Sequence, residues 1–185
     1  NYQEIREKLQ KKGYTFYSQT DTEAAVKLND YYYKKYNIGP IDALNKTMVR
    51  IRGSYALAVM FDDYPGEIWV ARKDSPMVIG INNGETFVAS DVPAILKFTR
   101  NVYYIGNMEM AKLQKGEVHF YNLDGDEIQK DLTEIKWGNS LEKISDEAFL
   151  GTGISVLNLP EPLKIISPMA FLMCNNLKEV TIPKT

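Results

Sequence analysis

The residue best placed to do chemistry is Asp21, in the polar stretch Thr20-Asp21-Thr22-Glu23. It lies where a predicted strand, residues 14–17, gives way to a predicted helix. A carboxylate at such a junction can cap the helix by accepting the free amide hydrogens of its first turn. It can also be directed outward, to hold the ammonium group of a ligand. We expect the capping role and keep the binding role as a hypothesis.

Nucleophilic catalysis needs a serine, cysteine or threonine beside a base, and the usual base is histidine. The chain has one histidine, His119, inside a predicted strand, and one cysteine, Cys174, at a predicted packing position. We interpret both as structural. The sequence therefore shows no nucleophile and base pair.

Other polar and aromatic clusters have ordinary structural explanations. Asp62-Asp63, and likewise Asp124 with Asp126, flank turn glycines, so solvated hairpin loops are favoured over an acid and base pair. The run of residues 31–33 is three tyrosines, and consecutive helical residues point in different directions. We expect these tyrosines to pack in the core and on the surface rather than form a ligand box.

Composition narrows the function classes. A net charge of −2 without long basic runs gives no electrostatic reason to bind nucleic acid or an anionic membrane. The longest apolar run, residues 55–61, is far shorter than a membrane-spanning helix. A single cysteine excludes an internal disulfide, and no Cys/His cluster suggests zinc. We predict no cofactor, no metal, no nucleic acid partner and no membrane insertion.

Periodicity and turn signals predict an α+β layered domain with antiparallel pairing, because helices come first and hairpin-linked short strands follow. The predicted helices are residues 2–12, 23–36, 41–52 and 92–98. The predicted strands are residues 14–17, 55–61, 67–73, 77–81, 86–89, 102–105, 108–113 and 117–121.

The last part of the chain contains an internal repeat. Six apolar or proline positions recur at offsets of 22 or 23 residues: Leu141 and Leu163, Ile144 and Ile166, Phe149 and Phe171, Ile154 and Leu177, Leu157 and Val180, Pro160 and Pro183. This period is typical of a leucine-rich solenoid. The second copy resembles the bacterial-surface type of repeat through Ala170-Phe171, Cys174, Leu177, Val180 and Ile182-Pro183. Two turns are fewer than usually stand alone, so either they lean on the first domain or the array is cut short at Thr185.

Several motifs in order resemble a known enzyme family. They are Gly13-Tyr14-Thr15-Phe16, Thr20-Asp21-Thr22-Glu23, Gly53-Ser54-Tyr55-Ala56, Ala71-Arg72-Lys73-Asp74-Ser75-Pro76 with Val78-Ile79-Gly80, Phe87-Val88-Ala89-Ser90-Asp91 and Asn122-Leu123-Asp124-Gly125. Together they resemble the later half of the glutaminase domain of glutamine:fructose-6-phosphate aminotransferase. The resemblance is continuous over residues 1–137 and ends near Trp137.

The resemblance implies part of a four-layer αββα sandwich of the N-terminal-nucleophile type, followed here by two leucine-rich turns. In the family, an N-terminal cysteine hydrolyses glutamine and its own α-amine serves as base. The aspartate that matches Asp21 binds the α-ammonium of glutamine. The nucleophile, the carboxylate-binding segment and the oxyanion segment would all lie upstream of Asn1, and repeats stand where the family's isomerase domains should follow. We therefore expect a partial amidotransferase domain at 1–137 and a repeat segment at 138–185.

Three functional readings follow. The first is a fragment of such an aminotransferase, inactive alone and binding glutamine weakly through Asp21. The second is a non-catalytic module that binds a protein partner, or itself, through the repeats or an exposed sheet face. The third is an enzyme whose chemistry is unrecognised. The family implies a cytoplasmic location, while the repeat type leaves surface association open.

Overall fold

The computed structural model describes residues 1–96, 98–136, 138, 140–152, 154 and 156–182. Its helices are α1 (Tyr2–Gln10), α2 (Asp21–Tyr36), α3 (Pro40–Arg50) and α4 (Val92–Ile95). Its strands are β1 (Tyr55–Val59), β2 (Ile68–Lys73), β3 (Val78–Asn82), β4 (Glu85–Ala89), β5 (Asn101–Tyr104), β6 (Met110–Gln114), β7 (Glu117–Tyr121), β8 (Glu127–Ile128), β9 (Thr133–Glu134), β10 (Lys143–Ile144), β11 (Val156–Asn158), β12 (Ile165–Ile166) and β13 (Glu179–Thr181).

The sequence dictates the helix ends through local chemistry. Helix α2 stops at Asn37, whose left-handed backbone closes the last turn. Helix α3 starts at Pro40, whose fixed φ suits a first helical position and whose missing N–H needs no partner there. A three-residue link, 37–39, therefore joins the two helices, and the Asn29 side chain of α2 donates to the Thr47 hydroxyl of α3 at 3.4 Å.

Residues 14–17 form no strand, so that prediction is wrong. The Tyr14 amide donates to the Leu9 carbonyl, and the Lys27 ammonium donates to the Thr15 carbonyl. The side chains of Tyr14 and Phe16 pack on the cluster that joins α1 to α2. Tyr14 and Phe16 alternate with exposed residues, as they would in a strand. The cluster between α1 and α2 buries them, however, and no neighbouring strand of the described structure pairs with this segment.

Two antiparallel sheets carry most of the strands. The larger has the order β1-β2-β6-β7-β8 and the smaller has the order β4-β3-β5-β9. Strand β1 runs opposite β2 with Leu57 facing Ala71 and Ala58 facing Val70. Since β1 is the last strand of its sheet, its outer edge has no partner strand among the described residues.

The sheets stack between helices. Val70, Ala111 and Phe120 of the larger sheet meet Ile79 of the smaller one and form the core between them. On its other face the larger sheet packs Trp69, Ala71 and Met110 against Leu44 and Met48 of α3. The order of layers is therefore helices, sheet, sheet and, on the far face, the short α4.

Close contact holds α4 on the outer face of the smaller sheet. Its Ile95 is buried with Val78 and Val102. Gly80 makes this approach possible, because a Cβ there would lie 2.5 Å from Thr99 Cγ2 and 2.7 Å from Ile95 Cδ1. The predicted α+β class with antiparallel pairing is confirmed.

The two repeats pair at the expected offsets. Strands β10 and β12 are parallel with Ile144 beside Ile166, and β11 and β13 are parallel with Leu157 beside Val180. The rings of Phe149 and Phe171 stack with centroids 5.2 Å apart. The Pro160 and Pro183 correspondence cannot be compared, because Pro183 lies outside the described residues, as does Trp137 at the expected domain boundary.

No helix in the described part of the chain combines the length and the apolar character needed to cross a membrane.

Candidate functional site

The N-cap of α2 is Thr20. The prediction that Asp21 caps this helix is therefore wrong by one residue. Thr20 has extended backbone, and its Oγ1 accepts the Glu23 amide hydrogen at 3.2 Å. Asp21 is the first helical residue. Among the described residues its Oδ1 accepts hydrogen bonds from Thr22 alone, from the amide at 2.8 Å and from the hydroxyl at 3.5 Å.

Glu23 fastens the incoming chain to the start of α2. Its carboxylate accepts hydrogen bonds from the Tyr17 amide at 2.8 Å, and from the Ser18 amide and hydroxyl at 2.7 Å each. The Ser18 hydroxyl, followed by the Tyr17 amide, lowers the pKa of Glu23 to about 2. The turn that presents Asp21 is thus held by a carboxylate that stays ionised.

Asp21 faces a cleft of about 280 Å³ between the helical layer and β1. Its carboxylate is exposed and takes part in no ion pair within the described structure. The cleft is lined by Asn1, Tyr2, Ile5, Asp21, Thr22, Ala24, Ala25, Ile51, Arg52, Ser54, Tyr55, Ala56 and Leu57. The N-terminal turn of α2 carries partial positive charge beside Asp21. This charge opposes the binding of an ammonium group at Asp21.

Arg52 lies on the same cleft, which sequence reasoning missed. Its backbone amide donates to Asn1 Oδ1 at 3.0 Å, and Asn1 Nδ2 donates to the Arg50 carbonyl at 3.0 Å. The exposed Arg52 side chain has no ion-pair partner among the described residues. A cleft with one free carboxylate and one free guanidinium offers opposite charges to a zwitterion.

The residues considered for nucleophilic catalysis lie elsewhere. His119 is on β7, with Nδ1 2.8 Å from Glu127 Oε1. Cys174 is in the second repeat, where its thiol donates to the Phe149 carbonyl at 3.0 Å. Neither lines the Asp21 cleft, whose hydroxyl groups have no histidine beside them in the described lining.

The remaining polar clusters have the structural roles expected for them. Asp63 accepts the Tyr33 hydroxyl at 2.7 Å, which raises the pKa of Tyr33 to about 12. Asn122 Oδ1 accepts the amides of Asp124 and Asp126, both at 2.9 Å, and closes the β7–β8 turn. Within the residues that the structure covers, no group of three or more His, Cys, Asp or Glu side chains is arranged to hold a metal ion.

Comparison with known proteins gives the family. Residues 1–97 match the glutamine amidotransferase domain family. The chain belongs to this family. Residues 127–185 match a second family, described as a BspA type leucine rich repeat region of six copies.

Curated relatives of this amidotransferase chain include proteins named glutamine–fructose-6-phosphate aminotransferase (isomerizing). The protein from Caldanaerobacter subterraneus subsp. tengcongensis is 46% identical over 151 residues, which are 81% of this chain and 24% of the relative. The Clostridium acetobutylicum protein is 42% identical over the same shares. The Thermococcus kodakarensis protein is 40% identical over 74% of this chain and 23% of its own length. The amidotransferase chain therefore spans about a quarter of these relatives.

Removing the cap should cost more than removing the Asp21 carboxylate. Thr20→Ala is expected to lower the free energy of unfolding by about 1 kcal/mol, since the Glu23 amide loses its acceptor. Asp21→Ala is expected to stay within about 0.5 kcal/mol of the parent, because the Asp21 side chain is exposed and the exposed Thr22 amide that it accepts can bond to water instead. Urea denaturation measures both. Equal losses in the two variants would return the capping role to Asp21.

Acid should weaken the turn through Glu23. Its pKa is lower in the folded chain, about 2, than the ordinary value of 4.5, so its stabilising contribution is complete above pH 4.5 and is lost as the pH falls toward 2. Carboxyl carbon NMR should place the Glu23 midpoint near pH 2. Glu23→Gln should flatten the pH dependence of stability between pH 4.5 and 2, and a midpoint above pH 4 would contradict the geometry.

Proposed function

We propose that residues 1–137 are the later half of an N-terminal-nucleophile glutaminase domain of the glutamine–fructose-6-phosphate aminotransferase kind, in which Asp21 binds the α-ammonium of glutamine. Residues 138–185 are a separate leucine-rich segment of two turns. The observation that carries the proposal is the free Asp21 carboxylate on a cleft of amino-acid size.

The layer order supports the fold part of this proposal. Helices, two antiparallel sheets and a short helix are stacked in the αββα sequence expected of the nucleophile-type sandwich. The unpaired edge of β1 leaves the larger sheet open beside the cleft. A sandwich completed by further strands would close there.

The charges on the cleft support the substrate part. Asp21 is in no ion pair of the described structure and can bind an ammonium, and Arg52, whose charge also helps to lower the pKa of Glu4, lies on the same cleft and can bind the α-carboxylate of the same amino acid. Each charge-assisted hydrogen bond contributes roughly 1.5 to 3 kcal/mol when buried, and less at an exposed site. One or two such contacts correspond to affinity in the millimolar range or weaker.

Glutamine hydrolysis by this chain alone is not part of the proposal. The amide carbon needs a nucleophile with a base in hydrogen-bond reach. The described lining of the cleft includes the hydroxyl-bearing residues Tyr2, Thr22, Ser54 and Tyr55, of which Tyr55 donates its hydroxyl to the Met48 carbonyl, but no histidine or cysteine. In this chain the cleft orients an amino acid and leaves its side-chain amide unreacted.

A glutamine titration followed by amide NMR tests this function. The parent chain should show saturable shifts confined to residues 20–25 and 52–57, with a dissociation constant of about 1 mM or weaker. Asp21→Asn should weaken binding at least fivefold and Arg52→Gln by a smaller factor, because each removes one charge partner. N-acetylglutamine, which lacks the ammonium, should give no saturable shift.

Asp124→Asn is the matched control, since it removes an exposed carboxylate from a distant turn. It should bind glutamine like the parent. Ammonia release from glutamine should equal that of a heat-denatured sample. Unchanged glutamine binding by Asp21→Asn, or enzymatic release of ammonia from glutamine by the parent, would contradict the proposal.

A second candidate function is association through the repeats. Large apolar side chains are exposed along this segment, including Ile165 at 53% and Met173 at 67%. Sedimentation velocity should then show self-association that increases with concentration. Ile165→Lys with Met173→Lys should weaken it, while Val49→Lys, at an exposed valine on α3, should not. A monomer at all concentrations would remove this candidate.

A further inference from the structure

The helical layer is basic, although the chain as a whole is acidic. Residues 1–52 contain ten Lys or Arg and six Asp or Glu, whereas the net charge of the whole chain is −2. The excess of acidic residues therefore lies in the sheets and the repeats. An anion is attracted to the helical layer rather than to the rest of the surface.

A small recess opens in this layer between α1 and α2. It has a volume of about 90 Å³. Its floor consists of Ile5 and Leu9 of α1 and of Leu28, Tyr31 and Tyr32 of α2. We name it the α1–α2 recess. A water molecule occupies about 30 Å³ in the liquid, and a methylene group is of similar size, so the recess has room for at least three methyl or methylene groups.

The tyrosine run 31–33 contributes two of its rings to this floor. The ring centroids of Tyr31 and Tyr32 lie 5.5 Å apart. Tyr33 turns to another side of α2, where its ring packs on Phe61 with centroids 5.0 Å apart and its hydroxyl donates to Asp63. The first two rings therefore face the recess, and the third does not.

Three cations surround the mouth of the recess, namely Lys8, Lys12 and Arg50. Lys8 and Arg50 share one carboxylate, that of Glu4, at 2.6 and 2.9 Å. Lys12 takes part in no ion pair within the described structure, and its ammonium lies 5.1 Å from the centroid of the Tyr31 ring. The mouth therefore keeps an excess of positive charge.

The Tyr31 hydroxyl responds to the same charge. A hydrogen bond from the Lys35 ammonium lowers the pKa of Tyr31, and Lys12 acts in the same direction. A phenol loses its proton more readily where nearby cations stabilise the negative oxygen. A carboxylate at the mouth of the recess would be stabilised in the same way.

These charges distinguish the recess from the Asp21 cleft. The α-ammonium of an amino acid would lie beside Lys8, Lys12 and Arg50, and the described lining of the recess contains no carboxylate. The cleft offers both signs of charge, through Asp21 and Arg52. The recess therefore favours an anion that has no ammonium group.

We propose that the α1–α2 recess binds a small carboxylic acid with a short branched aliphatic chain. The chain packs on Ile5, Leu9 and Leu28, and the carboxylate is held at the mouth by Lys12 and Arg50. This site lies beyond the proposed glutamine site and uses neither of its two charged residues. Strand β1 contributes no residue to its described lining.

The test titrates the full 185-residue chain with 4-methylpentanoate and follows the amide NMR shifts. The acid should give saturable shifts confined to residues 5–12, 28–32 and 50. The dissociation constant should be about 1 to 10 mM, because a few buried carbon groups and one exposed charge contact bind weakly. The absence of saturable shifts up to about 50 mM acid would overturn the proposal.

Three analogues separate the apolar part of the probe from its charge. Leucine adds an ammonium group, and 4-methylpentanamide lacks the negative charge; each should bind in the recess at least fivefold more weakly than the acid. Acetate lacks the branched chain and should bind at least tenfold more weakly, since each buried methylene contributes about fourfold. Equal binding of leucine, of the amide or of acetate would contradict the proposed recognition.

Two neighbouring lysines form a matched pair of variants. Lys12→Gln removes a cation from the mouth and should weaken binding of the acid at least fivefold. Lys11→Gln removes an equally exposed charge that lines no part of the recess and should leave binding unchanged. Equal losses in the two variants would assign the effect to the general charge of the layer and overturn the site.

Two further readouts separate this proposal from its alternatives. Ile5 lines both the recess and the cleft, so the sites are compared through residues that they do not share. Asp21→Asn should weaken glutamine binding and keep that of the acid, while Lys12→Gln should do the reverse. If N-acetylleucine binds at least tenfold more tightly than 4-methylpentanoate, the recess recognises the C-terminal residue of a polypeptide and the proposal of a free acid is wrong.

Discussion

The Glu23 carboxylate gathers three donors from the two residues that precede the Thr20 turn. This contact is local, but the position of the candidate site depends on it. Residues 14–19 have no strand ladder to hold them, so the hydrogen bonds to Glu23 fix where the chain enters α2. Thr20 accepts the Glu23 amide as the cap, so Asp21 is not needed for that contact; its Oδ1 accepts the neighbouring Thr22 amide, and its carboxylate lies on the cleft.

The layers then place the cleft. Helix α3 packs on Trp69 and Ala71 of β2, while α2 lies farther out, beside the end strand β1. The Asp21 cleft therefore lies where the start of α2 and the residues after α3 meet β1, and it brings the opposite charges of Asp21 and Arg52 onto one surface.

Much of the fold could be predicted from the sequence because short-range signals were strong. Strand β7 lies at 117–121 as expected, and Gly39-Pro40 marked the start of α3. The cap of α2 could have been found as well, since Thr20 and Glu23 have the Thr-x-x-Glu spacing of a capping box. The strand expected at 14–17 does not form, because alternating apolar residues indicate only that one face is buried, and here the cluster between α1 and α2 buries Tyr14 and Phe16 without a partner strand. Asp21 and Arg52 line one cleft although they lie far apart in the chain, and no local pattern encodes such a meeting.

In the repeat segment the strands of the two copies pair in register, although the connections between the strands differ in length. Eleven residues (145–155) connect β10 to β11, and twelve (167–178) connect β12 to β13. Both strand pairs nonetheless align in parallel, so the extra residue is taken up entirely by the connecting loop. The paired strands therefore keep their alignment, and the difference in repeat length falls in the connections between them. Successive turns of unequal length would splay on that side, so small changes in loop length would set the curvature of a longer array.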